Sequence, residues 1–126
     1  MVTQTQLRIL AFGSPVMISR LTDLVNQEEV KITGYSEASA GITLLEKEPF
    51  DIIIIDNLAK DAESICQNAI CLATAPVALF LRESVADLHK LRDVEVDGFL
   101  PDGTGRAEFM ARIKAFFRRK TICRPI

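Results

Sequence analysis

The segment Phe50-Asp51-Ile52-Ile53-Ile54-Ile55-Asp56-Asn57 constrains the fold more than any other part of the chain. Isoleucine is stiff at χ1 and suits a pleated surface, so four in succession make a strand rather than a helix. The run is continuous instead of alternating, which requires both faces of the strand to be covered. That is the pattern of a parallel sheet with helices on either side. In such sheets the ligand crevice lies outside the carboxyl ends of the strands, and there the run stops on a carboxylate, Asp56.

The remaining sequence alternates strand and helix patterns. Leu7 to Phe12 forms a first strand closed by Gly13, and Ser14-Pro15 supplies an N-cap followed by proline in the first helical turn. Val16, Ile18, Leu21, Leu24 and Val25 then recur at helical spacing and are expected to face the core. Val30 to Tyr35 alternates, as an edge strand does. Ser36 or Ser39 is available to cap a second helix carrying Ala40, Leu44 and Leu45 inward, stopped by Pro49. A third helix is expected over Ala62–Leu72 with Ile65, Ala69, Ile70 and Leu72 inward. A strand at Pro76–Leu81, a helix from Ser84 to about Asp93 and a short strand at Gly98–Leu100 follow. The last helix presents Phe109, Ile113 and Phe116 on one face. Strict alternation implies right-handed crossovers. The expected fold is an α/β domain with a five-stranded parallel sheet, doubly wound in the flavodoxin-like order 2-1-3-4-5, and five helices.

Composition narrows the function. A chain of 126 residues, 48% hydrophobic and 25% charged, is about one soluble domain, expected to span 1–126 with its core from about 7 to 120. Residues 121–126 are expected to begin a linker to a further domain. The net charge of −2 gives no general basic field for nucleic acid or membrane. No apolar run approaches the ~20 residues of a membrane span. Met1 to Gln6 lacks the basic start and apolar run of a signal peptide, so a cytoplasmic domain is expected. Cys66, Cys71 and Cys123 have no CxxC spacing and, with the single His89, make no zinc site; they are expected as buried small hydrophobes. No nucleophile–base pair can be assembled, so no enzyme and no catalytic or metal-ligating set is expected.

This segmentation resembles the receiver domain of two-component response regulators from about Leu7 to Lys120. Phe50 to Asp56 resembles the family's third strand, whose terminal aspartate accepts a phosphoryl group from a histidine kinase. Pro76–Leu81 resembles its fourth strand, and Val96-Asp97-Gly98-Phe99-Leu100 the approach to its fifth. The resemblance makes Asp56 the candidate phosphoacceptor, with Gly13, Ser14, Leu81, Arg82 and Asp102 lining the pocket. The family's two magnesium-holding acids fall on Gly13 and Ser14, its hydroxyl residue on Leu81 and its lysine on Asp102.

Those departures imply an atypical receiver. Transfer to a carboxylate concentrates negative charge that magnesium and a lysine normally offset. Here no resident cofactor is expected, magnesium at Asp56 included, and only Lys60 and Arg82 are at hand as cations. The resemblance further implies protein partners, either a histidine kinase or an effector or sensor domain. It also implies a candidate homodimer through the fourth helix, fifth strand and fifth helix, where Met110 and Phe117 extend the last helix's apolar face. Alternatives are a phosphorylation-independent pseudo-receiver and a flavodoxin-like domain binding a small ligand.

Overall fold

The computed structural model describes residues 7–59, 61–72, 75–81, 96–103 and 105–122, with side chains as far as Arg118 in the last segment. Its elements run β1 (Leu7–Phe12), α1 (Pro15–Leu24), β2 (Val30–Tyr35), α2 (Ala38–Lys47), β3 (Ile52–Asp56), α3 (Ala62–Leu72), β4 (Val77–Leu81), β5 (Gly98–Pro101) and α4 (Arg106–Ile122). The five strands form one sheet in the order β2-β1-β3-β4-β5, and all four pairings are parallel. Fold class and strand order are those the sequence implies. Four helices lie among the described residues; the one expected from Ser84 to Asp93 falls outside them, as do Lys60, Arg82, His89, Thr104 and Cys123.

The isoleucine strand sits at the centre and divides its side chains between two cores. Ile52 and Ile54 join Ile9, Ala11, Phe80 and Leu100 beneath α1 and α4. Ile53 and Ile55 join Leu10, Phe12, Val77 and Leu79 beneath α2 and α3. Period-two alternation of a strand covered on both faces produces this split. Each of the four isoleucines is fully buried, which at about 25 cal/mol per Å² of apolar surface contributes roughly 1.5–3 kcal/mol apiece. Phe80 and Phe109 lock α4 to the sheet edge-to-face, their centroids 5.9 Å apart.

Two aspartates close the amino ends of the ladders. Asp51 donates its N–H to the Arg8 carbonyl and accepts the Arg8 N–H on Oδ2, both at 2.8 Å. Asp97 does the same for Val77, at 2.8 and 2.7 Å. Each carboxylate satisfies an amide that would otherwise lack a strand partner.

The helices occupy their expected places but turn differently about their axes. In α1 the Ser14 hydroxyl accepts the Met17 N–H at 3.3 Å, as expected of an N-cap. The buried stripe is Met17, Leu21 and Leu24, whereas Val16 is 68% exposed. Neither Ser36 nor Ser39 caps α2; its N-cap is Glu37, without a side-chain bond. Gly41 is its buried position and Ala40 lies outside. In α3 the stripe is Ala62, Ile65, Cys66 and Ala69, with spacing i, i+3, i+4, i+7, and Leu72 is 45% exposed. Of the cysteines expected inside, Cys66 is buried and Cys71 exposed.

Two outcomes follow from this packing. A Cβ on Gly41 would stand 2.2 Å from Cε1 and 2.6 Å from Cζ of Phe12, a ring only 1% exposed. Gly41→Ala therefore loses about 1–3 kcal/mol to overpacking, outweighing the ~1 kcal/mol that alanine gains in helix propensity. Urea unfolding should show a lower midpoint at unchanged slope, partly restored by Phe12→Leu. Burial, with a smaller contribution from Glu63, pushes the Cys66 thiol up to about 12. A thiol reagent at neutral pH should label Cys71 promptly and reach Cys66 only under unfolding conditions, followed by peptide mass mapping.

Candidate functional site

Register decides what surrounds Asp56. Ile55 is level with Phe12, and Asp56 with Phe80. One step further along β1 brings Gly13 beside Asp56. Alternation turns Asp56 to the same side as Ile52 and Ile54, toward α1 and α4. The residue is 1% exposed. Its Oδ1 accepts the Leu58 N–H at 3.0 Å, and its carbonyl accepts the Ala59 N–H at 3.0 Å. The Asn57 N–H reaches across to the Phe80 carbonyl at 3.1 Å. The carboxylate thus starts the β3–α3 turn in the manner of an Asx turn.

Gly13 is packed, not merely small. A Cβ there would stand 2.9 Å from the Asp56 Cβ and 2.7 Å from the Met17 Sδ. No described glycine has positive φ, so at Gly13 the requirement is space. The Met17 thioether, fully buried, fills the room into which a side chain at 13 would project.

The other expected lining residues diverge. Ser14 is occupied in capping α1. Leu81 is partly buried and packs with the α2–α3 core, on the opposite side of the sheet from Asp56. Asp102 receives the Arg20 Nε on Oδ1 at 2.6 Å, while Arg20 Nη2 donates to its carbonyl at 3.3 Å. Its backbone N–H bonds the Leu81 carbonyl at 3.0 Å, which holds the loop at the strand end. Arg82 and Lys60 lie outside the described residues. The structure thus brings Gly13, Asp56 and Met17 into contact and ties Asp102 to α1. Arg20 and Met17 were not foreseen, since Arg20 meets a residue 82 positions away.

On the expected dimer face, Met110 proves to be core: it is 8% exposed, and its sulfur accepts the Asn26 N–H at 3.5 Å. Phe117 on α4 is 37% exposed and Phe99 on β5 is 49% exposed. Among the described residues no group of three or more His, Cys, Asp or Glu side chains is placed to hold a metal ion. No described helix is long and apolar enough to cross a membrane.

Solved receiver domains share this architecture. That of a sensor histidine kinase from Pseudomonas aeruginosa, with a magnesium ion coordinated in its active-site cleft, superposes with a TM-score of 0.78 at 13% identity, over 90% of this chain and 99% of that one. The signal receiver domain of an HD-domain-containing protein from Pseudomonas fluorescens gives 0.77 at 14% identity, over 96% and 93%. A response regulator receiver domain protein from Methanospirillum hungatei gives 0.72 at 14% identity, over 93% and 98%. Neither a protein-family model nor any curated protein matches the chain. What these likenesses show is the fold: a response-regulator receiver fold, five parallel strands in the order 2-1-3-4-5 between two layers of helices.

Proposed function

We propose that this chain is an atypical receiver-type signalling module that works through protein contacts in the cytoplasm and without a phosphorylation cycle. Its partners would be a histidine kinase or an effector or sensor domain of a two-component pathway, and it would turn over no substrate. The observation that carries this is the packing beside Asp56. An acidic side chain at position 13 would have to displace Met17 and the base of Asp56, which lie 2.7 and 2.9 Å from where its Cβ would be.

Charge balance supports the same conclusion. Magnesium takes near-octahedral oxygen ligands, commonly with one or two carboxylates. Around Asp56, Gly13 offers no side-chain oxygen, the Ser14 hydroxyl is engaged with the Met17 N–H, and the Asp102 carboxylate is engaged with Arg20. The donor set does not fit the ion. Phosphoryl transfer to this buried carboxylate without that ion would forgo the electrostatic stabilisation that magnesium supplies to the transferring group. One observation favours the rival possibility of a working phosphoacceptor: Asp56 keeps the strand-end position that the resemblance assigns to one.

Intact mass separates the two. After incubation with a small-molecule phosphodonor and magnesium, the chain should show no phosphoryl mass gain that Asp56→Asn abolishes; such a gain would sink the proposal. Gly13→Asp should not create magnesium binding by calorimetric titration. It should instead lower stability by about 1–3 kcal/mol in urea unfolding, through overpacking.

A further inference from the structure

The outer side of α4 carries a feature unrelated to Asp56. Arg106, Lys114 and Arg118 stand at multiples of four residues with the buried Met110 beneath them, along about 18 Å of helix at 1.5 Å per residue. These cations border a groove of about 640 Å³ between α4 and the α1–β2 loop, lined also by the exposed Ala107 and Ala111 and, from the loop, by Asn26 and Glu29. The bond from the Asn26 N–H to the Met110 sulfur fixes the two walls against each other.

The lining holds three cations and one carboxylate, on a chain whose net charge is −2. Arg106 donates Nε and Nη2 to the Asp23 carbonyl at 3.2 and 3.0 Å, an anchor that orients the guanidinium without neutralising it. Lys114 pairs with Glu29 at 3.2 Å, both half exposed. Arg118 forms no ion pair among the described residues. On the other flank of α4, Arg112 is neutralised by Glu108 at 2.9 Å. Among the α4 side chains described, as far as Arg118, the net positive charge therefore falls on the groove side.

We infer that this groove docks an acidic amphipathic helix of a partner protein, with carboxylates at four-residue spacing set against Arg106, Lys114 and Arg118. The small side chains of Ala107 and Ala111 let a second helix approach closely, and the row of cations fixes its register. Glu29 in the wall and the negative net charge disfavour a nucleic-acid backbone or an anionic lipid surface in the same place. The inference concerns a different surface from Asp56 and does not depend on the state of that residue.

The test is fluorescence anisotropy with a labelled, alanine-based helical peptide carrying glutamate at every fourth position, titrated with the full chain at low salt. The peptide should bind, and high salt should weaken it. Arg118→Glu and Lys114→Glu should each reduce affinity several-fold, roughly fivefold to tenfold. Lys47→Glu, the same charge change on α2, should have little effect. Circular dichroism confirms that the variants are folded, and Asp56→Asn should leave binding unchanged. Four results would overturn the inference: no binding, equal binding to Arg118→Glu, equal binding of the lysine-substituted peptide, or tighter binding of an oligonucleotide or anionic vesicle.

Discussion

A strand that is apolar on both faces must be covered twice, and the rest of this structure follows from covering β3. Ile52 and Ile54 demand α1 and α4 on one side; Ile53 and Ile55 demand α2 and α3 on the other. With β1 and β4 as parallel neighbours, every connection has to cross over a face, and all strands end at the same edge of the sheet. Whatever follows β3 is then delivered to the crevice by topology alone. The position of Asp56 is a consequence of the isoleucines before it, and its chemistry has to be argued from its neighbours.

Those neighbours describe a carboxyl group built into a turn. A buried carboxylate needs hydrogen bonds, and Asp56 has the Leu58 N–H on Oδ1. On the same side of the sheet, the β5 loop presents a carboxylate whose partner is Arg20 of α1. That ion pair is half exposed, so it contributes little to stability, about 0–1 kcal/mol. Its consequence is geometric: it commits Asp102 to α1. Gly13 and Met17 complete the arrangement, the Met17 thioether filling the space into which a side chain at position 13 would project.

How much of this was legible follows from the range of each interaction. The strand order and the Ser14 cap are written in patterns a few residues long, and both appear as the sequence implies. Helix faces were harder. In α1 the bulk of Val16 suggests an inward residue, yet Met17, four before Leu21 and seven before Leu24, is the one inside. In α3 Leu72, expected inward, is exposed, because a helix's angle against the sheet is set by all its contacts together. The Arg20–Asp102 pair joins residues 82 apart, and no local pattern announces it. The absence of carboxylates at positions 13 and 14 could be read directly. That Met17 fills the space beside Gly13 could not, since it depends on how closely β1, β3 and α1 approach.

A helix laid on a sheet has to be held on one face and solvated on the other. The two faces of α4 show how one helix serves both demands. Phe109, Ile113 and Phe116 hold it to the sheet through a fully apolar contact, so its orientation does not depend on any charge. The residues at 106, 114 and 118 are thereby free of a structural duty in the core and can vary in charge at little cost in stability. Arg112 shows the ordinary fate of such a surface cation, paired with Glu108 one turn earlier. The groove cations depart from it: one is oriented by a neutral carbonyl, another faces the single carboxylate of the opposite wall. Rigid attachment beneath and unbalanced charge above is what a selective contact requires, because a partner's affinity is then not reduced by the need to order the helix it meets.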